Sequence, residues 1–541
     1  MIYKFLFIQC LVGLLAFTSF SQEENEIPDW QLQDFTTDFR GTNVEKTYIE
    51  LLAGKQPQEK VVVAVIDSGV DIEHEDLMHA VWVNTDEIPD NGIDDDNNGY
   101  VDDINGWNFL GNANGDMVDV DNLEITRVYR TLSAEFADVV TAADISEDRL
   151  DRWKYYQRVK NEFEDGKMKA DRNFTTYSEF QASYDIVMSQ LKLLFGDEFT
   201  TEQVVEWVPE DEIQENIKGF YLYIDENEVD DAYLAEYGSY VTQRRNWYDI
   251  DFDVRKEIIK DDPTNLYEKG YGNAFVEGPD ATHGTHVAGI IAANRGNDLG
   301  IKGVASYVEI MAIRAVPNGD EHDKDVANAI RYAVDNGARV VNMSFGKSYS
   351  PNEKIVAEAI QYAEDNDVLL IHAAGNEGQD LDESENFPTN FSDYLKGKVD
   401  TYITVGATSF KADEEFIASF SNYGEQKVDV FAPGWQIYST VPDNEYQYLS
   451  GTSFSAPVVS GVAALMMSYF PDLSAKDVKK IIEKSAKALR YAKVYLPGSG
   501  GVDENGVEEP KITIDFEKLS RTAGLLDAYE AIKEADKKSK Y

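Results

Sequence analysis

The chain has 541 residues, with 49 Lys and Arg against 100 Asp and Glu, which gives a formal net charge of −51. Such an acidic chain lacks the basic face that neutralises phosphates, so nucleic acid and anionic membrane surfaces are excluded as partners. A hydrophobic content of 43% is too high for a disordered acidic tail. The single cysteine, Cys10, lies in the amino-terminal apolar run, which excludes disulfide scaffolds, thiolate metal sites and cysteine nucleophiles from the rest of the chain.

The amino terminus has the three parts of a secretory signal peptide, namely Lys4, an apolar stretch from Phe5 to Phe17, and small residues up to Ser21. We expect residues 1–21 to be removed and the mature protein to be exported, to the periplasm or to the cell exterior. A buried helix is the alternative interpretation. No second stretch reaches the length needed to cross a bilayer, so the mature chain is expected to have no membrane segment. Residues 22–59 form a polar leader with one predicted helix, Val44–Ala53.

Buried strands alternate with amphipathic helices over most of the chain. Continuous apolar runs of this kind are typical of parallel strands buried on both faces, and they lie at Val61–Ile66, Val308–Ala315, Arg339–Met343, Val368–Ala374, Tyr402–Ala407 and Val428–Ala432. Helical patterns lie at Val326–Asn336, Ile355–Asn366 and Pro457–Tyr469. The alternation predicts an α/β fold, with a doubly wound, mostly parallel sheet, helices on both faces, and ligand sites at the carboxyl ends of the strands.

Residues 112–272 interrupt this alternation, because β-branched runs are scarce there and helical periodicity dominates. We predict a large, acidic, mainly helical insertion between a first part of the α/β domain, residues 60–111, and a second part, residues 273–541. Two apolar and aromatic stripes mark helical faces, one with Phe180, Tyr184, Val187, Leu191, Leu194 and Phe195, the other with Val229, Tyr233, Tyr237, Tyr240 and Val241. Helix packing is the simpler interpretation of these stripes, and a substrate groove is the alternative.

Three short segments carry chemically useful side chains. Asp67 ends the first buried strand, where a carboxylate either caps a turn or accepts a hydrogen bond from an imidazole. His283 opens the segment His-Gly-Thr-His-Val-Ala-Gly, in which His286 is either a packing residue or a metal ligand paired with His283. Ser453 lies at the start of an Ala- and Val-rich helix in Gly-Thr-Ser-Phe-Ser-Ala-Pro. Free amides and the helix dipole there would stabilise an oxyanion, although an isolated serine in this place reads equally well as a helix cap.

Together the three segments resemble the subtilisin family of serine peptidases (subtilases). The resemblance covers about residues 60–111 and 272–469, and the chain order Asp, His, Ser is that of the family. It implies a secreted serine endopeptidase that cleaves peptide or protein substrates through an acyl-enzyme intermediate without a cofactor for the chemistry. Ser453 would be the nucleophile, His283 the general base and then acid, and Asp67 the group that fixes the imidazole tautomer.

Further segments match parts of the same family pattern. Asn376, in Ala-Ala-Gly-Asn-Glu-Gly, resembles the family's oxyanion-hole residue, and on its own would be a turn residue. The resemblance implies substrate contacts for Ser344, Phe345 and Gly346 on an edge segment, and for Ala373, Ala374, Gly375 and Asn386 around the main specificity pocket. Relatives often have glycine where Asn386 lies, so the depth of the pocket is left open.

Residues 86–103 contain eight acidic residues and no Lys or Arg. Asp94-x-Asp96-x-Asn98-Gly99 has the alternating oxygen ligands of a calcium loop, but Asn105 takes the place of the terminal glutamate. We therefore predict a structural calcium site from Asp94, Asp96, Asn98, Tyr100, Asp102 and Asp103. A solvated acidic turn is the alternative.

Other enzyme classes fit the sequence less well. His74 and His79 are five residues apart, which separates them by about 140° on a helix and excludes the zinc-peptidase motif. Ser455 occupies the position where an α/β-hydrolase elbow needs glycine. The remaining alternative is a catalytically silent scaffold that acts through its helical insertion.

Three features depart from the family pattern. Asp67 and His283 are 216 residues apart because of the insertion, which we predict to lie at the rim of the cleft and to restrict entry. The leader is shorter than the usual inhibitory prosegment, so maturation by self-cleavage is left open. Phe454 and Ser455 replace the usual methionine and alanine, a change expected to alter packing rather than chemistry.

Overall fold

A computed structural model describes residues 28–36, 39–139, 141, 145–501 and 509–540. The predicted signal peptide, residues 1–21, lies outside the described residues. Two compact units are present, one formed by residues 125–252 and the other by residues 26–124 together with 253–541. In the part of the chain that the structure describes, every helix is too short or too polar to span a lipid bilayer.

The second unit is built on a nine-stranded sheet with the order β10-β13-β7-β6-β5-β4-β1-β3-β2. All neighbouring strands of this sheet are parallel except β10 and β13. Two antiparallel pairs, β8 with β9 and β11 with β12, lie outside it. The strand bounds are β1 Val61–Asp67, β2 Gly106–Asn108, β3 Val308–Arg314, β4 Val340–Met343, β5 Leu369–Ala373, β6 Tyr402–Thr408, β7 Val430–Pro433, β8 Ile437–Val441, β9 Glu445–Leu449, β10 Lys487–Ala488, β11 Lys493–Tyr495, β12 Thr513–Asp515 and β13 Gly524–Leu525.

The α-helices of the second unit lie mostly between these strands, as in a doubly wound fold. Their bounds are α1 Val44–Thr47, α7 Val254–Ile258, α8 Thr282–Ala292, α9 Asp323–Asp335, α10 Glu353–Asp365, α11 Thr452–Tyr469, α12 Ala475–Ser485 and α13 Ala528–Lys538. Helix α2, Glu124–Glu135, begins in this unit with Glu124 and continues in the first unit. Helices α3 Leu150–Phe195, α4 Thr201–Glu206, α5 Glu212–Glu226 and α6 Asp231–Asn246 belong to the first unit.

Side chains of the central strands are buried on both faces of the sheet. In β1, Val63 and Val65 join a core with α8 and α11, whereas Ala64 and Ile66 join a second core with α9 and α10. This two-sided burial explains why the strands read as continuous apolar runs rather than as alternating ones. The doubly wound parallel sheet with helices on both faces is confirmed.

Residues 125–252 form a helical unit whose longest helix, α3, has 46 residues. Phe180, Tyr184, Val187 and Leu191 are buried against residues of α5 and α6. Leu194, which we predicted on the same face, is instead 48% exposed, whereas Phe195 beside it packs against this cluster. The first aromatic stripe is therefore a helix-packing surface. Residues 112–124 and 253–272 lie within the second unit.

Candidate active site

The first candidate group lies where β1 ends. The Asp67 carboxylate is 2% exposed, and its Oδ1 accepts hydrogen bonds from the Ser68 N–H at 2.8 Å and from His283 Nδ1 at 2.7 Å. Because an ionised carboxylate only accepts, Nδ1 of His283 carries the hydrogen and Nε2 is the basic nitrogen. Asp67 therefore fixes the tautomer in which the imidazole can take up a proton at Nε2.

His283 lies in the first turn of α8, which approaches the turn after β1 very closely. A Cβ at Gly284 would lie 2.0 Å from the Gly69 carbonyl oxygen, so only glycine permits this approach. Burial opposes protonation of the His283 imidazole, but the charge and hydrogen bond of Asp67, helped by Asp280, outweigh burial and raise its pKa above 6.5. The imidazole is thus held as a stronger base than a free histidine.

Ser453 is the second residue of α11, where backbone N–H groups have no acceptor within the helix. Its Oγ donates to the Ser344 carbonyl oxygen at 3.0 Å, and Ser344 Oγ donates to the Ser453 carbonyl oxygen at 2.6 Å. No hydrogen bond within the described ranges joins Ser453 to His283. The ring of Phe454, the next residue, lies 5.3 Å from the His283 ring. Asp67 and His283 are therefore hydrogen-bonded to each other, whereas Ser453 is hydrogen-bonded to Ser344 of the edge segment.

Asn376 follows β5 and contacts the same helix start. Its Oδ1 accepts hydrogen bonds from the Thr452 N–H at 2.8 Å and the Thr452 hydroxyl at 3.0 Å, and that hydroxyl accepts the Gly375 N–H at 3.0 Å. Thr452 thus binds Oδ1 of the exposed Asn376 side chain twice, which leaves the amide nitrogen as its donor. This nitrogen and the Ser453 N–H are two donors suited to an oxyanion. Thr452 holds the Asn376 side chain in place, a contact that the sequence motif around Thr452 does not predict.

Asn386 joins the two predicted substrate segments. Its Nδ2 donates to the carbonyl oxygens of Ala373 at 3.1 Å and Ala374 at 2.9 Å. A Cβ at Gly346 would lie 2.3 Å from Asn386 Oδ1, so the Asn386 side chain fills the space beside the edge segment. Phe345 is half-buried on that segment, between Ser344 and Gly346. The predicted substrate residues thus lie together, with the Asn386 side chain between the two segments.

His286 has partners of its own, which favours the packing interpretation over a metal pair with His283. Its Nε2 lies 3.0 Å from the carbonyl oxygens of Ile437 and Gln447, so Nε2 carries the hydrogen. Its ring contacts Phe454, with the centroids 4.5 Å apart. Burial lowers the pKa of His286 to about 3, so this imidazole stays neutral.

Several carboxylates of the acidic loop are directed to the loop's own backbone. Asp94 and Asp102 each accept two N–H groups from neighbouring loop residues. Asn98 Oδ1 accepts the Tyr100 N–H at 2.8 Å, and the Tyr100 ring is buried against Trp107. These side chains shape the turn.

A tighter carboxylate group lies beside them. Glu87, Asp96 and Asp103 each offer one oxygen, and the three atoms lie within 4.8 Å of one another. The amide of Asn98 bridges Asp96 and Asp103, with distances of 3.0 and 3.2 Å. Burial raises the pKa of Asp103 to about 6 despite hydrogen bonds that lower it. This oxygen-only donor set fits a hard cation such as Ca²⁺. Glu87 is absent from the sequence-predicted ligands.

Comparisons with known proteins show which family the chain resembles. Residues 58–506 match the subtilase family, peptidase S8. The chain is 38% identical over 217 residues to the thermophilic serine proteinase of Bacillus sp. (strain AK1), covering 40% of this chain and 49% of the relative. It is 35% identical over 234 residues to subtilisin DY of Bacillus licheniformis, covering 42% and 80%. A solved cold-adapted subtilisin-like serine proteinase is 28% identical, with 48% and 78% covered and a TM-score of 0.35.

The chain spans less of some relatives, namely about half of the thermophilic proteinase and 23% of the cell wall-associated protease of Bacillus subtilis (strain 168), to which it is 36% identical over 226 residues, 42% of this chain. The family match, however, extends over far more than half of this chain. The chain therefore belongs to the subtilase family.

Proposed function

We propose that the protein is a serine endopeptidase that hydrolyses peptide bonds with Ser453, His283 and Asp67. The observation that carries this proposal is the 2.7 Å bond between Asp67 and His283 at the carboxyl end of β1, on the sheet edge where β4 leads into the Ser344 segment that holds Ser453 Oγ. A buried acid, an imidazole of fixed tautomer and a serine at a helix start are the components of acyl transfer.

The proposed reaction begins with the serine hydroxyl. Rotation about the Cα–Cβ bond of Ser453 exchanges the hydrogen bond to Ser344 for one to His283 Nε2, a contact that commonly forms only when substrate is bound. Nε2 takes the hydroxyl proton as Oγ attacks the scissile carbonyl, and the imidazolium then protonates the leaving amine. Water attacks the resulting acyl-enzyme by the same route, which releases the second product and restores the Ser453 hydroxyl.

Two donors would stabilise the tetrahedral intermediate. The Asn376 amide nitrogen and the Ser453 N–H both lie at the start of α11, where the helix dipole favours negative charge. Thr452 supports the first donor, because its N–H and hydroxyl occupy Asn376 Oδ1. The arrangement would therefore be in place before the charge develops.

Substrate would bind along the edge segment of Ser344, Phe345 and Gly346, with the Ala373–Gly375 segment opposite. Main-chain pairing supplies affinity in such an arrangement, and pockets supply selectivity. Asn386 occupies space between the two segments, which favours a small side chain before the scissile bond.

We further propose that Glu87, Asp96 and Asp103 hold a structural Ca²⁺ ion. Bound calcium would neutralise carboxylates that otherwise repel one another in the loop, and it has no part in the chemistry. The amino-terminal pattern supports export, with the mature enzyme acting in the periplasm or outside the cell on peptide or protein substrates.

The direct test combines a fluorophosphonate probe with peptide hydrolysis. We expect labelling of Ser453, loss of labelling in Ser453→Ala and His283→Ala, and hydrolysis of an unmodified peptide by the wild-type protein alone. A folded wild-type protein that neither reacts with the probe nor cleaves peptides would be the scaffold, not the enzyme.

A further inference from the structure

Arg314 is a buried cation that the proposed reaction does not use. It is the last residue of β3, it pairs in register with Asp67 of β1, and its side chain is 2% exposed. Burial lowers the pKa of Arg314 to about 10, and Asp119 and Asp280 oppose that change, so the guanidinium is charged at neutral pH. A charged group buried beside Asp67 needs a structural explanation, because desolvating it costs free energy.

The guanidinium donates to neutral oxygens. Its Nε–H donates to the Ser68 carbonyl oxygen at 2.8 Å, Nη1 donates to Asn108 Oδ1 at 3.2 Å, and Nη2 donates to the Val118 carbonyl oxygen at 2.5 Å. Within the described ranges, no ion pair closer than 4.0 Å includes Arg314. The planar fork therefore joins the turn after β1, the end of β2 and residue 118.

The hydrogen bond from Arg314 to the Ser68 carbonyl means that both backbone polar groups of Ser68 are hydrogen-bonded. The Ser68 N–H donates to Asp67 Oδ1 at 2.8 Å, while the Ser68 carbonyl accepts from Arg314. The Asp67 carbonyl itself accepts the N–H groups of Ala315 at 3.0 Å and Val316 at 3.2 Å, directly after Arg314. The carbonyls of the two peptide groups that follow Asp67 in the chain are thus bound to Arg314 or to the two residues after it.

The surrounding backbone leaves the turn and the guanidinium little room to shift. Gly278 has a φ of +74°, and a Cβ there would lie 2.1 Å from Arg314 Nε. Gly69 has a φ of +134°, and a Cβ there would lie 1.8 Å from the Glu277 carbonyl oxygen. The returning segment at residues 277–278 therefore closes over both the guanidinium and the turn.

We propose that Arg314 is a positioning residue for Asp67, which acts by holding the Ser68 carbonyl and hence the turn whose Ser68 N–H binds the Asp67 carboxylate, so that this carboxylate meets His283 Nδ1. The proposal rests on the proposed peptidase function for its kinetic consequence. Without the guanidinium, the Ser68 carbonyl is released, the turn relaxes, and the bond between Asp67 and His283 lengthens or breaks.

The kinetic test compares Arg314→Met and Arg314→Lys with Arg255→Lys, in which another buried arginine, in α7 and paired with Asp261 and Asp325, is changed. We expect Arg314→Met to lower kcat by about 10²-fold per titrated active site with KM nearly unchanged, since a misplaced catalytic group costs about this much. Arg314→Lys keeps the charge but donates from a single nitrogen instead of three, so its kcat should lie between those of Arg314→Met and the wild-type protein. Arg255→Lys should lower Tm and leave kcat unchanged.

The pH profile distinguishes a positioning role of Arg314 from an effect of its positive charge alone. Loss of the Asp67 bond removes what raises the pKa of His283, so the acid limb of kcat/KM should move to lower pH in Arg314→Met. Removal of a nearby positive charge alone would move that limb to higher pH. A shift to higher pH, an unchanged limb, or an Arg314→Met kcat equal to that of the wild-type protein would overturn the proposal.

A turnover-free readout keeps this inference distinct from the function. In the Ser453→Ala background, the deshielded NMR signal of the His283 Nδ1 proton reports the bond to Asp67. We expect Arg314→Met to abolish the signal or broaden it by exchange, with Arg314→Lys tested in the same way should the methionine variant not fold. Arg255→Lys should keep it. A sharp, unshifted signal in both Arg314 variants would overturn the positioning role even if the wild-type protein cleaved no peptide.

Discussion

His283 Nδ1 lies 2.7 Å from Asp67 Oδ1, and this bond determines which nitrogen of the imidazole can act as a base. A buried carboxylate that already accepts the Ser68 N–H holds the Nδ1 hydrogen, so proton uptake takes place at Nε2. The same carboxylate raises the pKa of the imidazole against the effect of burial. Asp67 thus fixes the tautomer and is the main group that raises the basicity of His283, with a smaller contribution from Asp280.

The raised pKa of His283 predicts the acid side of the pH profile. Only the neutral imidazole accepts the Ser453 proton, so kcat/KM should rise with pH through the pKa of His283, with a midpoint above 6.5. Asp280→Asn should move the midpoint to lower pH, because the lost negative charge no longer favours the imidazolium. Initial rates on a peptide anilide from pH 5 to pH 9 measure this.

Salt provides the control for that shift. Asp280 is exposed, so its effect on His283 should shrink at high ionic strength, whereas the buried Asp67 should keep its effect. An Asp280→Asn midpoint equal to or above that of the wild-type protein at low salt would contradict the assigned cause.

Removal of the Asn376 amide should affect the transition state more than substrate binding. We expect Asn376→Ala to lower kcat by about 10²–10³-fold, or roughly 3–4 kcal/mol, with KM little changed. Thr452→Val should give a smaller loss, because the Thr452 N–H still bonds Asn376 Oδ1. Steady-state kinetics on one substrate test both variants. Turnover by Asn376→Ala equal to that of the wild-type protein would remove this residue from the oxyanion site.

Asn386 should limit the size of the residue that precedes the scissile bond. We expect Asn386→Gly to raise kcat/KM for a substrate with Phe at that position by about 10-fold relative to one with Ala, since filling an apolar pocket is worth about 1–3 kcal/mol. Two hydrogen bonds to the Ala373 and Ala374 carbonyls are lost, at about 1–2 kcal/mol of stability. The Ala substrate serves as the internal control. An unchanged Phe-to-Ala ratio would mean that Asn386 does not line the pocket.

Calcium should stabilise the protein through the Glu87, Asp96 and Asp103 group. At about 100 times its Kd, a bound ion adds about 2.7 kcal/mol to the free energy of unfolding, so chelation should lower Tm. Asp103→Asn should abolish most of the calcium-dependent change in Tm. Asp102→Asn is the matched control, because that carboxylate belongs to the same loop but lies outside the group formed by Glu87, Asp96 and Asp103. Equal calcium responses in the two variants would argue against the assigned ligands.

Local sequence patterns predicted those structural features that depend on residues close together in the chain. The continuous apolar run of β1 predicted a strand buried on both faces, and the helix start at Ser453 followed from Gly451 and Pro457. The contacts that complete the site join distant segments, which one sequence does not reveal. Thr452 meets Asn376 across 76 residues, and Arg314 meets Ser68 across 246. The predicted role of the helical segment at the cleft stays a prediction.

The loop shows the same limit at shorter range. Alternating oxygens in residues 94–98 suggested a ligand set that follows the chain. In the structure, the carboxylate oxygens that lie within 4.8 Å of one another are those of Glu87, Asp96 and Asp103. Glu87 is seven residues before this pattern, so the pattern alone does not point to it.

Covalent capture at Ser453 tests the central claim most directly. The wild-type protein, Ser453→Ala and the neighbouring Ser455→Ala are incubated with a fluorophosphonate, and the modified peptide is identified by mass spectrometry. The proposed mechanism predicts one adduct on Ser453 in the wild-type protein and in Ser455→Ala, none in Ser453→Ala, and a loss of kcat of about 10⁶-fold in Ser453→Ala. An adduct elsewhere, or peptide hydrolysis by Ser453→Ala at the wild-type rate, would contradict it.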